Sequence, residues 1–193
     1  EALRSAGETL DSVRPGVQVD VTREPVGVVA LITSWSAPLS AAARKIAPAL
    51  AFGNSVVFKP SELVPACGWM LAEIISRAAL PAGAFNLLMG SGRELGATLV
   101  ESPQVDAVSF TGSAAVGARV LQGAAKRRTR VQLEMGGSNA LVVMGDADLE
   151  RAVECALGGA YSWGGQRCTA SSRLIVEAPL HDAFVARLRQ RVA

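Results

Sequence analysis

The sequence predicts an α/β fold: an open parallel sheet flanked by helices, then, past a glycine break, the start of a second α/β unit. Three observations carry that expectation. Short β-branched runs alternate with Ala-rich stretches of helical length. The run Gly27–Thr33 is continuously apolar, as a parallel strand covered on both faces is. Turn residues such as Gly53-Asn54, Pro60 and Gly90-Ser91-Gly92 stand wherever the hydrophobic period changes.

Taken in order, residues 1–24 differ from the rest: a polar helix end, then Val17–Thr22, whose alternation reads as a half-exposed antiparallel strand. Gly27–Thr33 is the first buried strand. Pro38–Phe52 follows as a helix stopped by Gly53-Asn54. Ser55–Lys59 is a strand ended by Pro60, and Pro65–Ala79 a helix with an apolar face at Ala66, Trp69, Met70, Ile74 and Ala78. Phe85–Met89 is a strand capped by Gly90-Ser91-Gly92, and Arg93–Glu101 a short helix. Strand Ala107–Phe110 leads through Thr111-Gly112-Ser113 into a helix reaching about Lys126. Strand Arg130–Glu134 runs into Gly136-Gly137, the sharpest break in the chain and the expected domain boundary. Beyond it lie strand Ala140–Met144, a helix over Asp148–Tyr161, the loop Trp163–Thr169, strand Ser172–Glu177 and a helix from about His181.

Composition narrows the function. The 193 residues are 50% hydrophobic and 19% charged, which excludes a disordered chain. No run approaches the eighteen or so apolar residues of a membrane span, and Glu1–Ser5 lacks the basic start of a signal peptide. The sequence begins without Met and ends inside a helical pattern, so it reads as an internal segment of a longer protein. A net charge of +2 draws no polyanion, so neither nucleic acid nor membrane is an expected partner. The clusters Lys126–Arg130 and Arg187–Arg191 read as helix ends, where cations suit the dipole. Three cysteines, Cys67, Cys155 and Cys168, make an odd, sparse set that fits a reducing, cytoplasmic compartment. Cys67 and Cys155 read as small core residues. His181, the single histidine, rules out a zinc site built on two histidines and reads as a surface or capping residue; no metal site is expected.

An open α/β sheet binds ligands at the carboxyl ends of its strands. Three such ends carry distinctive residues: Lys59-Pro60-Ser61-Glu62, Gly90-Ser91-Gly92 and Phe110-Thr111-Gly112-Ser113. The last opens a helix whose free N–H groups suit an anion, though Ala118-Arg119 stands where a Walker A loop has Lys-Ser/Thr. Gly90, Gly92 and Gly96 are one residue too widely spaced for the dinucleotide fingerprint. Taken alone, these glycines are equally phosphate binders or ordinary turns, and Lys59 with Glu62, as an isolated pair, is most often a solvated turn. Cys168 lies among small residues with Arg167 beside it, where a thiolate is favoured, and Glu134 ends a strand before Gly136-Gly137. Each of these also has an ordinary structural reading.

The combination decides between these readings. Glu134-Met135-Gly136-Gly137 together with Gly165-Gln166-Arg167-Cys168-Thr169-Ala170 resembles the aldehyde dehydrogenase superfamily. Glu24-Pro25-Val26-Gly27-Val28, Ile32-Thr33-Ser34-Trp35, Lys59-Pro60-Ser61-Glu62, Leu80-Pro81-Ala82-Gly83 and Phe110-Thr111-Gly112-Ser113 follow in family order, and the resemblance runs from about residue 14 to the C-terminus. Within the superfamily, Ser12–Gly16, Gln132–Gly137 and Cys168–Val176 are most similar to dehydrogenases of α-ketoglutarate semialdehyde (2,5-dioxopentanoate).

The resemblance implies a Rossmann-like NAD(P)-binding domain at 25–135, part of a bridging, oligomerising arm at 1–24, and a truncated catalytic domain at 136–193. It implies oxidation of an aldehyde, such as a small acidic semialdehyde, with NAD or NADP as cofactor. Cys168 would be the nucleophile and Glu134 the general base, with Ser36 standing where the family carries an Asn amide as oxyanion donor. Ile32, Thr33, Trp35, Lys59, Ser61, Glu62, Gly92, Phe110, Thr111, Gly112, Ser113, Val116, Met135 and Gly136 would contact the cofactor. Glu62 would favour two free ribose hydroxyls, hence NAD, and Lys59 would soften that preference. The complete protein would be a homodimer or homotetramer and the isolated segment inactive. Ser36 and the missing parts also admit a catalytically impaired nucleotide-binding fragment, or a dehydrogenase of another aldehyde such as succinate semialdehyde.

Overall fold

The computed structural model describes residues 2–5 and 7–192. The chain divides into two compact units, Glu1–Glu134 and Met135–Ala193. The first opens with a 3-10 turn at Ala2–Arg4 and two antiparallel strands, β1 (Glu8–Asp11) and β2 (Gln18–Val21). The expected strand at 17–22 is therefore present, but its partner β1 lies where a polar helix end was expected. Pairing decides this: Thr9 faces Asp20, and its hydroxyl donates to Asp20 Oδ1 at 2.8 Å. Both strands are exposed on both faces rather than half-exposed.

The main sheet holds β3 (Val28–Ile32), β4 (Ser55–Lys59), β5 (Phe85–Leu87), β6 (Ala107–Gly112) and β7 (Arg130–Met135) in the order β5-β4-β3-β6-β7. The β3–β4, β4–β5 and β3–β6 pairs are parallel, as the sequence predicts. Four helices cover it: α1 (Ser40–Ala51), α2 (Pro65–Ser76), α3 (Gly92–Glu101) and α4 (Ala114–Ala125). Side chains alternate across a strand. Val29 and Leu31 accordingly meet Ala42, Ile46, Val56 and Phe58 on one face, while Ala30 and Ile32 meet Val100, Val108, Phe110 and Val120 on the other. This double burial is the physical reason for the uninterrupted apolar run of β3. The strand order reverses between β3 and β6, where an open sheet leaves a crevice at its carboxyl edge.

Helix α2 corrects one expectation. Trp69, Met70 and Ile74 are exposed, and the stripe Gly68, Leu71 and Ile75 faces inward instead. The helix is apolar nearly all round, so periodicity does not choose its inner face; close approach does, because a Cβ on Gly68 would lie 2.5 Å from Pro60 Cγ. Asn54, expected only as part of a helix stop, is a buried clamp. Its Oδ1 accepts from the N–H groups of Val26 (2.6 Å) and Gly27 (3.1 Å), and its Nδ2 donates to Ala49 O (2.9 Å). The basic cluster after α4 closes helix ends as expected: Lys126 pairs with Glu101 at 3.0 Å, and Arg127 donates to the Glu101 and Ser102 carbonyls ending α3.

In the second unit, β8 (Asn139–Val143) and β9 (Ser171–Val176) pair in parallel, and α5 (Leu149–Tyr161) and α6 (Ala178–Val192) pack on them. Val143, Val153, Ala156 and Phe184 form the core. Cys155 is exposed, not a core residue, because the buried stripe of α5 runs through Val153 and Ala156 and leaves position 155 about 100° away. Cys67 is half-buried. Helix α6 starts at Ala178, ahead of His181, because Pro179 is suited to a first turn. His181 is exposed beside Asp182. Among the described residues, no helix is long and apolar enough to cross a membrane.

Candidate active site

The carboxyl edge of the main sheet gathers most of the first unit's predicted site residues. β3 ends at Ile32 and continues through Thr33, whose N–H donates to Lys59 O at 3.2 Å, so the ends of β3 and β4 stay together. Trp35 lies beyond them, exposed, and Ser36 Oγ lies 3.0 Å from Ser34 Oγ. Lys59 closes β4. Alternation sends its side chain to the face covered by α3, where it is only 2% exposed and donates to Pro60 O at 2.9 Å. Burial pushes its ammonium below the ordinary lysine value, and the Glu62 carboxylate opposes that shift.

Glu62 reaches across to α3, whose Gly92 N–H donates to its Oε2. A Cβ on Gly92 would sit 3.8 Å from Lys59 Nζ and 3.9 Å from Glu62 Oε2. Lys59, Glu62 and Gly92 therefore form one cradle with a cation, a carboxylate and a helix N-terminus. The carboxylate has acceptor capacity beyond the Gly92 bond, which suits a vicinal pair of hydroxyls. Ser61 shapes the turn between strand and helix, its hydroxyl accepting from Leu63 N at 3.3 Å.

A second cluster lies at β6. Phe110 is buried, Thr111 and Gly112 half-buried, and Ser113 caps α4, its hydroxyl accepting from Val116 N at 3.4 Å. A Cβ on Gly112 would strike the Phe110 ring at 2.4 Å, so only glycine lets the chain pass there. The helix start beyond it offers unpaired N–H groups and a positive dipole end, a suitable berth for a diphosphate.

Glu134 lies near the end of β7, exposed, its Oε1 accepting from Gln132 Nε2 at 3.2 Å. Met135 and Gly136 follow, also exposed. Lys45 of α1 is electrostatically coupled to Glu134: burial lowers its pKa and the nearby carboxylate resists the change. Lys45, Ser109 and Gln132 were not among the predicted site residues. The available signal was a lysine in an Ala-rich helix and a glutamine two positions before the acid.

Cys168 lies in the second unit, exposed in the loop before β9. Trp163, Gly164 and Gly165 all have positive φ (58°, 65° and 71°), a left-handed turn that explains the two glycines and strains the tryptophan. Arg167 N donates to Gly165 O at 2.9 Å and Ala170 N to Arg167 O at 3.1 Å, wrapping the backbone tightly around Cys168. Asn139, also absent from the predicted set, holds this loop: its Nδ2 donates to the carbonyls of Cys168 (2.6 Å) and Ala170 (3.1 Å).

The sequence profile of the aldehyde dehydrogenase family matches residues 1–193. The chain belongs to that family. The 2,5-dioxopentanoate dehydrogenase of Saccharolobus solfataricus is 47% identical over 193 residues, covering 99% of this chain and 40% of that protein. The α-ketoglutaric semialdehyde dehydrogenase of Bacillus subtilis is 42% identical over 192 residues, 99% of this chain and 39% of that protein. A crystal structure of betaine aldehyde dehydrogenase from Staphylococcus aureus in complex with NAD+ superposes with a TM-score of 0.91 at 42% identity, covering 99% of this chain and 38% of that one. The chain thus spans about 40% of the length of the curated relatives it matches.

Proposed function

We propose that this chain carries the cofactor-binding half and the nucleophile of an NAD- or NADP-dependent enzyme that oxidises a small acidic semialdehyde, such as α-ketoglutarate semialdehyde, to the carboxylate. The family match over residues 1–193, with the Glu134 and Cys168 segments inside it, carries the reading. Residues 25–135 are its cofactor domain, 136–193 the opening of its catalytic domain, and 1–24 part of an oligomerising arm. Exposed Leu10, Val19 and Val21 on the β1–β2 pair suit that arm, in a cytoplasmic homodimer or homotetramer.

Lys59, Glu62 and Gly92 would hold the adenosine ribose, and Ser113 with the α4 N-terminus the diphosphate. Ile32, Thr33, Trp35, Ser61, Phe110, Thr111, Val116, Met135 and Gly136 would complete the binding surface. Glu62 disfavours a 2′-phosphate by like charge, and Lys59 partly offsets that repulsion. When bound, the nicotinamide supplies the hydride acceptor.

The chain's own residues do the rest. The Cys168 thiolate adds to the aldehyde carbon, forming a C–S bond, and the new oxyanion takes a hydrogen bond from the Cys168 backbone N–H. At the thioester stage Glu134 removes a proton from water. The water oxygen bonds to the carbonyl carbon, the C–S bond breaks, and the thiolate and carboxylate part.

Two relatives bear the names of the same semialdehyde, and Arg167 beside the nucleophile suits an anionic substrate. The test is NADH formation by the complete enzyme across an aldehyde panel: acidic semialdehydes should lead, and a preference for unbranched alkanals overturns the substrate assignment. Ser36 favours a second reading, a nucleotide-binding chain without turnover, because a serine hydroxyl is shorter than the amide it replaces. Cofactor binding without any NADH release from the complete protein would establish that reading.

A further inference from the structure

The strongest unassigned feature is a polar chain running from α1 across the sheet to Glu134. Lys45 Nζ donates to Ser109 Oγ at 2.6 Å and to Gln132 Oε1 at 3.4 Å. Ser109 Oγ donates in turn to Gln132 Oε1 at 2.5 Å. The other end of the same amide, Gln132 Nε2, donates to Glu134 Oε1 at 3.2 Å. Gln132 and Glu134 are two apart on β7, so both project from the same face of the strand.

We infer that Gln132 is a positioning residue that orients the Glu134 carboxylate; the inference rests on the general-base role proposed for Glu134. The amide has only one sensible orientation. Reversed, its NH2 would point at the Lys45 ammonium while its oxygen would face the Glu134 carboxylate, donor against donor and acceptor against acceptor. With Oε1 committed to Lys45 and Ser109, Nε2 is aimed at Glu134. Lys45 is half-buried and Ser109 is buried in the sheet, so the amide is anchored from the rigid side. Glu134 is exposed and has three rotatable bonds of its own; this hydrogen bond selects among its rotamers. The two ends of the chain also attract each other by charge: burial lowers the pKa of Lys45 and the Glu134 carboxylate opposes that shift.

The step affected is thioester hydrolysis, in which Glu134 takes the proton of the attacking water, the oxygen joins the acyl carbon and the Cys168 sulfur leaves. Formation of the thioester does not need that proton transfer. The test is rapid-mixing kinetics on the complete enzyme with Gln132→Met, Gln132→Glu and Glu134→Gln. Gln132→Met should release NADH as a burst near one per site and then turn over about 10- to 100-fold more slowly, part of what a general base contributes. The kcat/KM for the aldehyde, which reports the steps up to thioester formation, should stay within about twofold, with KM falling alongside kcat.

Gln132→Glu keeps an acceptor for Lys45 and Ser109 but has no donor for Glu134, so it should be equally slow. Recovery of wild-type turnover in Gln132→Glu would mean that residue 132 only partners Lys45, and would overturn the inference. If Glu134→Gln loses steady-state turnover while Gln132→Met keeps it, the positioning role alone falls. If Glu134→Gln itself turns over normally, the underlying role of Glu134 falls with it.

Discussion

Adding one methyl group should destabilise the fold at one glycine of the cofactor edge and leave it unchanged at another. In Gly112→Ala the new Cβ would lie 2.4 Å from Phe110 Cζ and 3.0 and 3.1 Å from two neighbouring ring carbons. Carbon atoms attract best at about 3.5–4.0 Å, so the first contact is more than 1 Å too close. The ring cannot swing aside, since Phe110 is 3% exposed and packed with Val100, Val108 and Val120. Backbone must move, which costs about 1–3 kcal/mol in a packed core. In Gly92→Ala the nearest atoms are at 3.8 and 3.9 Å, ordinary contact, and alanine is the better helix former by about 1 kcal/mol in a helix interior and less at a first turn. Gly92→Ala should therefore keep its stability while filling the cradle between Lys59 and Glu62. Urea unfolding followed by tryptophan fluorescence, paired with an NAD titration, separates the two. Gly112→Ala should unfold at lower urea; Gly92→Ala should unfold as wild type and bind NAD more weakly. Equal stability of wild type and Gly112→Ala would refute the packing argument.

Asn54→Ala strands the N–H groups of Val26 and Gly27, while the Ala49 carbonyl keeps its bond from the residue 54 backbone N–H, and should cost about 2–3 kcal/mol in urea unfolding, whereas Asn54→Asp, which still accepts both N–H bonds, should cost less. Lys59 gives a pH signature. Its folded pKa lies below 10.5, so its burial cost is full while it is protonated, and stability rises with pH between the folded value and 10.5 because the unfolded chain then holds more protons. Lys59→Met lacks that gain, so its stability relative to wild type should fall from neutral pH towards 10.5; a relative stability that rises with pH contradicts the assignment. Ser36→Asn should raise turnover of the complete enzyme, by up to roughly 10²–10³-fold if it restores a full oxyanion donor, and unchanged turnover removes residue 36 from the reaction.

Much of the scaffold is legible in the sequence because local rules and burial agree there. The apolar run of β3 announces a strand covered on both sides, and the turn residues mark where the sheet's crossovers begin and end. The reading fails where two answers satisfy the same local pattern. Helix α2 is apolar around most of its circumference, and only the Pro60–Gly68 approach selects its inner face. Position 155 is a small residue in an amphipathic helix, but it falls beside the buried stripe rather than on it.

The site divides the same way. Lys59 and Glu62 are neighbours in sequence and can be paired by spacing; that Gly92 donates to Glu62 is a property of the sheet, which brings a residue 30 positions away to the same edge. Lys45, Ser109 and Gln132 come from a helix and two strands, so no local spacing joins them. Asn139 is similar: 29 positions before Cys168, it meets that residue's carbonyl only because β8 and β9 pair.

The central claim is that Cys168 forms the covalent bond to the aldehyde and Glu134 releases it. Mass spectrometry of the complete Glu134→Gln enzyme, incubated with NAD and α-ketoglutarate semialdehyde, tests this most directly. An acyl adduct should form on the peptide bearing Cys168 and persist, because hydrolysis is blocked. An unmodified Cys168, or an adduct on Cys67 or Cys155 instead, would contradict it.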